Sequence, residues 1–549
     1  MTPVRALRLL VLALSLALSG LPACANEDPA PTSAEAATSP ALLRHAWVEY
    51  STPNFRVYSD LDPDDALRSV RDIERFARVV RQLVQLDHRP SPIPVEFWLC
   101  RDDESVRQLA GDRTLLGFMR PSPRASYLVA TGALLDDPGG SPMLHEYVHL
   151  LMRSGSGTVT PAQLDLPRWY DEGMAEFLAT LRVHQGVVRF GVPNAARLKH
   201  LRARSEYSIA LAQVLSINNL GAMHSARVSD FYALSWVLVH WLYGQRWDGP
   251  GQRHRAIDDY LQRVSRGEDV RSAARLAFGV NLNALADRLR RYADNVRGTP
   301  LHSVPIERFA GNDDVQIQSR PLDRYESAYR LGYVAVAGNP ELARRLFAHA
   351  LQQRPGDVFA DMGLAVSDQF EKDFVAGVPR ARAVLARRPD DTLLAQELAD
   401  MLYEWCDSDA PPPNCAELQA QAIALYEQIL RSEPARIETH SALGAVLLDA
   451  GRDPAAAEAH LAQASAALPW SSGLVLQVGR AAMRQGDLAR AALLLQRAER
   501  WAENDLLRQR VVRAWIEHDC LHALPVRSVA AVQQCARLGA IPASEGSAE

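Results

Sequence analysis

Lysine is almost missing from this chain of 549 residues: it stands only at Lys199 and Lys372, so nearly all of the 60 basic residues are arginine. No dense basic block with interleaved aromatics occurs, and 65 acidic residues leave a formal net charge of -5 at pH 7. Nucleic acid is therefore not expected as a partner, and the arginine bias reads as genome composition. Long hydrophobic runs are also lacking: the stretch from Leu9 to Leu18 is too short to cross a membrane. Disorder is excluded by the 48% of apolar residues, which provide core for several domains.

Cysteine is scarce, six in all, and its placement agrees with export. Arg5 and Arg8, the apolar run and the small residues after it follow the order of a secretory signal peptide. Two cleavage readings stay open. Leu21-Pro22-Ala23-Cys24 resembles a bacterial lipobox, which would lipidate Cys24, while Ala23-Cys24-Ala25 fits an ordinary A-x-A site. The lipobox is preferred because Asn26 to Pro40, rich in Ala, Pro, Ser, Thr and acid, looks like a tether holding a folded body off a membrane. Ala25 after the cysteine would, in a Gram-negative organism, direct the lipoprotein to the outer membrane. The expectation is a signal peptide at 1–24, a tether at 25–44, and an exported, periplasmic protein touching membrane only through its lipid. In that compartment Cys406 would pair with Cys415 across a Pro-rich loop and Cys520 with Cys535 across a helix hairpin, leaving Cys100 a buried thiol. Simple burial of some of these cysteines is the alternative.

The chemistry concentrates in His145-Glu146-Tyr147-Val148-His149 and, some two dozen residues on, Trp169-Tyr170-Asp171-Glu172-Gly173-Met174-Ala175-Glu176. On a helix, residues four apart project about 40° from each other, so both imidazoles meet one point while Glu146 sits on the adjacent flank. Two neutral imidazoles suit zinc, and the carboxylate can take a proton from a water beside it. Ser141-Pro142 supplies an N-cap and a first-turn proline, and Leu144, Val148, Leu150 and Leu151 an apolar face, which places the motif on a buried helix. A second helix, Trp169 to Thr180, carries Glu172 and Glu176 four apart, an arrangement that wants a cation opposite.

These residues resemble the gluzincin metallopeptidases, whose motif helix is followed by one carrying a glutamate ligand in an N/D/S-E-G-x-A setting. The resemblance implies an α+β zincin-like peptidase domain that binds Zn2+ through His145, His149 and Glu172. It also implies that Glu146 is the catalytic base and that Glu176 orients a ligand histidine. Tyr232, on a helix from Asp230 to Tyr243, resembles the oxyanion donor that gluzincins supply beyond the ligand glutamate; the alternative is an aromatic filling a helix interface. The metzincin pattern is excluded, since Leu150 to Thr160 holds no third histidine. The G-x-M-x-N segment of the aminopeptidase branch is absent between Trp47 and Ser141, so internal cleavage of peptides or proteins is expected.

Strands are expected near Phe55–Tyr58, Ile93–Leu99 and Ser126–Thr131. By the same resemblance, the last would border the cleft and bind extended substrate. Helices are expected at Asp64–Leu86, Asp103–Leu109, Ala195–Arg204, Tyr207–Val214 and Leu282–Asn295, with a hairpin at Val183–Val192. His240 reads as a core or surface histidine. The peptidase domain would span 45–297 and a linker 298–321. From 322 to 540, helix pairs ended by Pro355, Pro389, Pro434 and Pro469 resemble tetratricopeptide repeats of about 34 residues, an all-α solenoid that would bind a protein partner. A different class stays open: a membrane-tethered scaffold with an inactive peptidase-like domain.

Overall fold

Two short strands, β1 (Val48–Ser51) and β2 (Arg56–Ser59), form an antiparallel pair. The computed structural model describes residues 40–86, 91, 93–122, 124–132, 140–154, 166–203, 207–217, 225–244, 255–311, 315–468, 471–500, 502 and 505–522. The expected signal peptide, Cys24 and Cys535 lie outside the described residues, as does the tether up to residue 39. After β2, helix α1 (Pro63–Leu83) starts on a first-turn proline followed by Asp64 and Asp65, which suit the positive end of the helix dipole. Val70, Ile73, Ala77 and Val80 form its buried stripe.

Strand β3 (Val95–Cys100) runs parallel to β2 and to β5 (Ser126–Thr131), and every residue of β3 and β5 is buried. Burial on both faces is why both read as nearly continuous apolar runs. Helix α2 (Asp103–Ala110) follows β3 and is capped by Asp102, and β4 (Gly117–Pro121) pairs antiparallel with β5. The sheet order is β4-β5-β3-β2-β1-β9, with β9 (Gln318–Pro321) antiparallel to β1.

Two expectations change here. β5 does not offer a free edge, because it is paired on both sides; the edge belongs to β4, whose Gly117 and Pro121 hide it in the sequence. The expected linker at 298–321 instead contributes β8 (His302–Pro305), which completes a second sheet with β6 (Arg182–His184) and β7 (Val187–Phe190), and then β9. All four β9 side chains are exposed, so no apolar alternation marks it.

The site helices are α3 (Pro142–Ser154) and α4 (Arg168–Leu178). Then follow α5 (Ala195–Arg202), α6 (Leu211–Val214), shorter than the helix expected from Tyr207, and α7 (Ser225–Tyr243). Helices α8 (Arg255–Ser265) and α9 (Val270–Phe278) were not anticipated, although Ile257, Tyr260, Leu261 and Val264 mark a buried stripe; α10 (Leu282–Asn295) was.

The remaining helices pair as α11 (Arg324–Ala335) with α12 (Pro340–Gln353), α13 (Val358–Phe370) with α14 (Phe374–Arg387), α15 (Thr392–Cys406) with α16 (Cys415–Ser432), α17 (Ile437–Asp449) with α18 (Pro454–Ala467), and α19 (Ser472–Arg484) with α20 (Leu488–Arg500). Helix α21 (Asp505–His522) ends the described chain. Asp323, Asn339, Asp357, Asp373, Asp391, Asp453 and Ser471 cap these helices by accepting backbone N–H bonds, so the starts are written in the sequence. Gly332 and Gly363 both lie against the Phe347 ring, where a Cβ would overlap it. This is a helix-hairpin repeat array of tetratricopeptide type.

The chain divides into two compact units, one holding most of residues 40–389 and the other residues 390–522. The first two helix pairs therefore belong with the α/β part, not to a separate repeat domain starting at 322. Their attachment is specific: Arg120 Nη1 donates to the Val334 carbonyl at 2.6 Å, Arg330 Nη1 to the Tyr58 hydroxyl at 2.9 Å and Arg124 Nη1 to the Tyr329 hydroxyl at 3.0 Å. In the second unit, Cys406 and Cys415 form a disulfide with Cα atoms 5.3 Å apart. Cys520 is disulfide-bonded and Cys100 is a buried free thiol; the Cys535 expected to pair with Cys520 lies outside the described residues.

Candidate metal centre

Helix α3 is fixed from behind. Ser141 accepts the Leu144 amide at 3.4 Å, and Tyr147 inserts its ring against Phe55, Phe76 and Phe97. Anchoring residue 147 on the sheet side turns residues 145 and 149 away from it, toward α4. Helix α4 lies close against α7 because Gly173 has no side chain: a Cβ there would stand 2.6 Å from the Ser235 carbonyl oxygen and 2.7 Å from Val239 Cγ2.

The expected ligands converge. His145 Nε2 is 3.1 Å and His149 Nε2 is 3.4 Å from Glu172 Oε2, and the two Nε2 atoms are 3.2 Å apart. One ligand atom from each residue lies within 4.8 Å of the others, and among the described residues this is the group of histidine, cysteine and carboxylate side chains suited to a metal. Glu146 is 7% exposed, and its Oε2 is buried with no hydrogen-bond partner among the described residues.

Around these donors stand further charges, only one of which the sequence reading named. Glu176 accepts from Arg197 Nη2 at 2.6 Å and from Asn194 Nδ2 at 3.0 Å, and one oxygen lies 3.8 Å from His145 Nδ1. Asp171 was missed: its Oδ1 is 3.0 Å from His149 Nδ1, the closer of the two orienting contacts. The signal was present, since Asp171 occupies the N/D/S position before the ligand glutamate. Arg168, also missed, brings Nη2 to 2.6 Å from Glu172 Oε1.

The electrostatics follow from burial and these neighbours. Burial opposes charge on the His149 ring, but Asp171 and Glu172 outweigh it and raise its pKa to about 10. Burial likewise disfavours the Glu172 carboxylate, yet Arg168 and His149 hold its pKa well below the usual range. For Glu176 burial is overcome chiefly by Arg197, and its pKa is also lowered. Four carboxylates, Glu146, Asp171, Glu172 and Glu176, thus face two guanidinium groups, Arg168 and Arg197. Carboxylates outnumber guanidinium groups here, an imbalance that suits a divalent cation once both imidazoles are neutral, and two imidazoles plus a carboxylate match the donor preference of zinc.

Tyr232 lies at the same place, its ring centroid 6.3 Å from that of His145 and its side chain 6% exposed. Burial and then Glu172 push the phenol well above its usual range, so the hydroxyl keeps its proton and can donate. His240 is a core residue: Nδ1 meets the Tyr292 hydroxyl at 2.8 Å, Nε2 meets the Gly191 carbonyl at 3.1 Å, and burial lowers its pKa to about 4.

The model of one family, described as "Protein of unknown function (DUF1570)", matches residues 141–266. That segment holds His145, Glu146, His149, Glu172, Glu176 and Tyr232. No curated protein matches the chain. Among solved structures, TTC0263, a thermophilic TPR protein in Thermus thermophilus, is similar at 23% identity over 35% of this chain and 99% of its own, with a TM-score of 0.29. Pseudomonas aeruginosa PilF is similar at 18% identity over 41% and 94%, TM-score 0.31. PilW, described as a widely conserved type IV pilus biogenesis factor, is similar at 17% identity over 41% and 97%, TM-score 0.31. The repeat assignment rests on the helix pairs themselves.

Proposed function

We propose that this protein is a zinc-dependent peptidase of gluzincin type, acting as an endopeptidase on peptides or proteins outside the cytoplasm, with its helical repeats binding a protein partner or substrate. The observation that carries the reading is the meeting of His145, His149 and Glu172, with the adjacent Glu146 presenting a buried Oε2 that has no hydrogen-bond partner among the described residues. When bound, zinc supplies Lewis acidity and lowers the pKa of an adjacent water to about 7. The residues of the chain would do the rest. Asp171 holds the His149 Nδ1 proton, leaving the Nε2 lone pair toward the metal position. Glu146 takes a proton from water as the water oxygen attacks the scissile carbonyl, then gives that proton to the departing amine nitrogen. The Tyr232 hydroxyl donates to the carbonyl oxygen as negative charge develops there. Edge strand β4 could align an extended substrate. The Cys406–Cys415 disulfide supports an oxidising compartment, and with it the export expected from the sequence; the Cys24 lipid anchor remains part of the proposal on the sequence alone.

Protein purified without chelator should carry about one zinc per chain, and Glu172→Gln should lose most of it. It should cleave a quenched fluorescent peptide blocked at both ends. Zinc occupancy unchanged in Glu172→Gln removes Glu172 as a ligand, and faster release of single N-terminal residues than internal cleavage removes the endopeptidase assignment.

A further inference from the structure

Glu172 presents its two oxygens to different partners. Oε2 faces the two imidazoles, at 3.1 and 3.4 Å, whereas Oε1 faces the Arg168 guanidinium at 2.6 Å. Arg168 stands one turn before Glu172 on α4, so the helix itself fixes the pairing, and the Arg168 side chain is only 12% exposed against 0% for Glu172. The guanidinium is close as an ion pair, though not aligned as a hydrogen bond to Oε1. A buried carboxylate with both oxygens unengaged would bind a cation with either or both of them, since carboxylates coordinate in one-oxygen and two-oxygen modes. Here one oxygen already sits against a fixed positive charge.

We propose that Arg168 is a positioning residue that reserves Oε1, so that Glu172 offers the metal Oε2 alone and a coordination position stays open for water and substrate. This deepens the zinc reading above and rests on it. The alternative, an ordinary helix ion pair that only supports α4, makes no claim on coordination number.

The test uses the full chain stripped of metal and reloaded with Zn2+ or Co2+. In the wild-type zinc protein, X-ray absorption should give one carboxylate oxygen at bonding distance, roughly 2.0–2.2 Å. Arg168→Met should let Oε1 join: the visible bands of the Co2+ form should lose intensity, as a higher coordination number requires. The zinc dissociation constant should change by about 10–100-fold, the usual scale for residues that orient metal ligands. Arg168→Lys, which returns the charge, should restore the wild-type spectrum. Two carboxylate oxygens bound in the wild-type protein overturn the proposal, and that measurement needs no variant. An Arg168→Met protein with wild-type spectrum and affinity overturns it as well, as does one that Arg168→Lys does not restore. Failure of the zinc reading looks different: the wild-type chain would then bind neither ion at one per chain.

Discussion

Under the proposed reading, a change of one atom at Glu146 separates binding from chemistry. Glu146→Gln keeps the shape of a side chain that ligates nothing, so zinc content should stay at about one per chain while peptide hydrolysis falls to background. Tyr232→Phe should lower kcat by about 10²–10³ with unchanged melting temperature, because it removes one oxyanion donor and no buried bulk. An unchanged kcat would assign Tyr232 to packing alone. His149 predicts the pH dependence. Its pKa, raised to about 10 in the metal-free protein, means that zinc must displace a proton, so affinity measured by chelator competition should rise about tenfold per pH unit across neutrality. The same shift makes the metal-free fold most stable below pH ~6.5, where an unfolded histidine is also protonated, with that contribution lost as pH rises through about 10. Thermal melts of apoprotein between these limits check the sign.

Helix α4 shows how an element converts a sequence motif into a site. Gly173→Ala drives a methyl into the Ser235 carbonyl and Val239, at an expected cost of about 1–3 kcal/mol, and should weaken zinc binding together with the melting temperature. The helices that build the centre were legible because their signals are local: Ser141-Pro142 starts α3, and residues four apart bring His145 to His149 and Glu172 to Glu176. Asp171 was overlooked because it neighbours a stronger signal, and Arg168 because an arginine at the start of a helix reads as solvated surface. β4, β8 and β9 escaped for a different reason: each is short, β9 presents no buried residue, and β8 and β9 are defined by pairing with strands distant in sequence, whereas β4 pairs with the neighbouring β5 across its Gly117 and Pro121 ends. The repeat helices were legible through period and cap residues, whereas the boundary at 298–321 was misplaced because loss of periodicity in short strands looks the same as a linker.

On the scale of the molecule, the division near residue 389 predicts how the chain tolerates cutting. A chain ending at residue 389 should bind zinc as the full chain is proposed to do, since every residue of the candidate metal centre and the helix pairs attached to the sheet remain. One ending at residue 323 should be insoluble or lose its zinc, because it removes α11 from Arg120, Arg124 and Tyr58. Non-reducing peptide mapping of exported protein should link Cys406 to Cys415 and Cys520 to Cys535, and free thiols there would contradict an oxidising compartment. Helix α11 carries a run of rings, Tyr325, Tyr329 and Tyr333, with the Arg124 guanidinium 3.5 Å from the Tyr333 ring centroid. Repeat arrays need a terminal unit with a water-compatible outer side. In the first unit the α/β body covers that side of α11. Residues 324–522 expressed alone would therefore uncover the side of α11 that meets Tyr58, Arg120 and Arg124, and should self-associate in sedimentation experiments under conditions that leave the full chain dispersed.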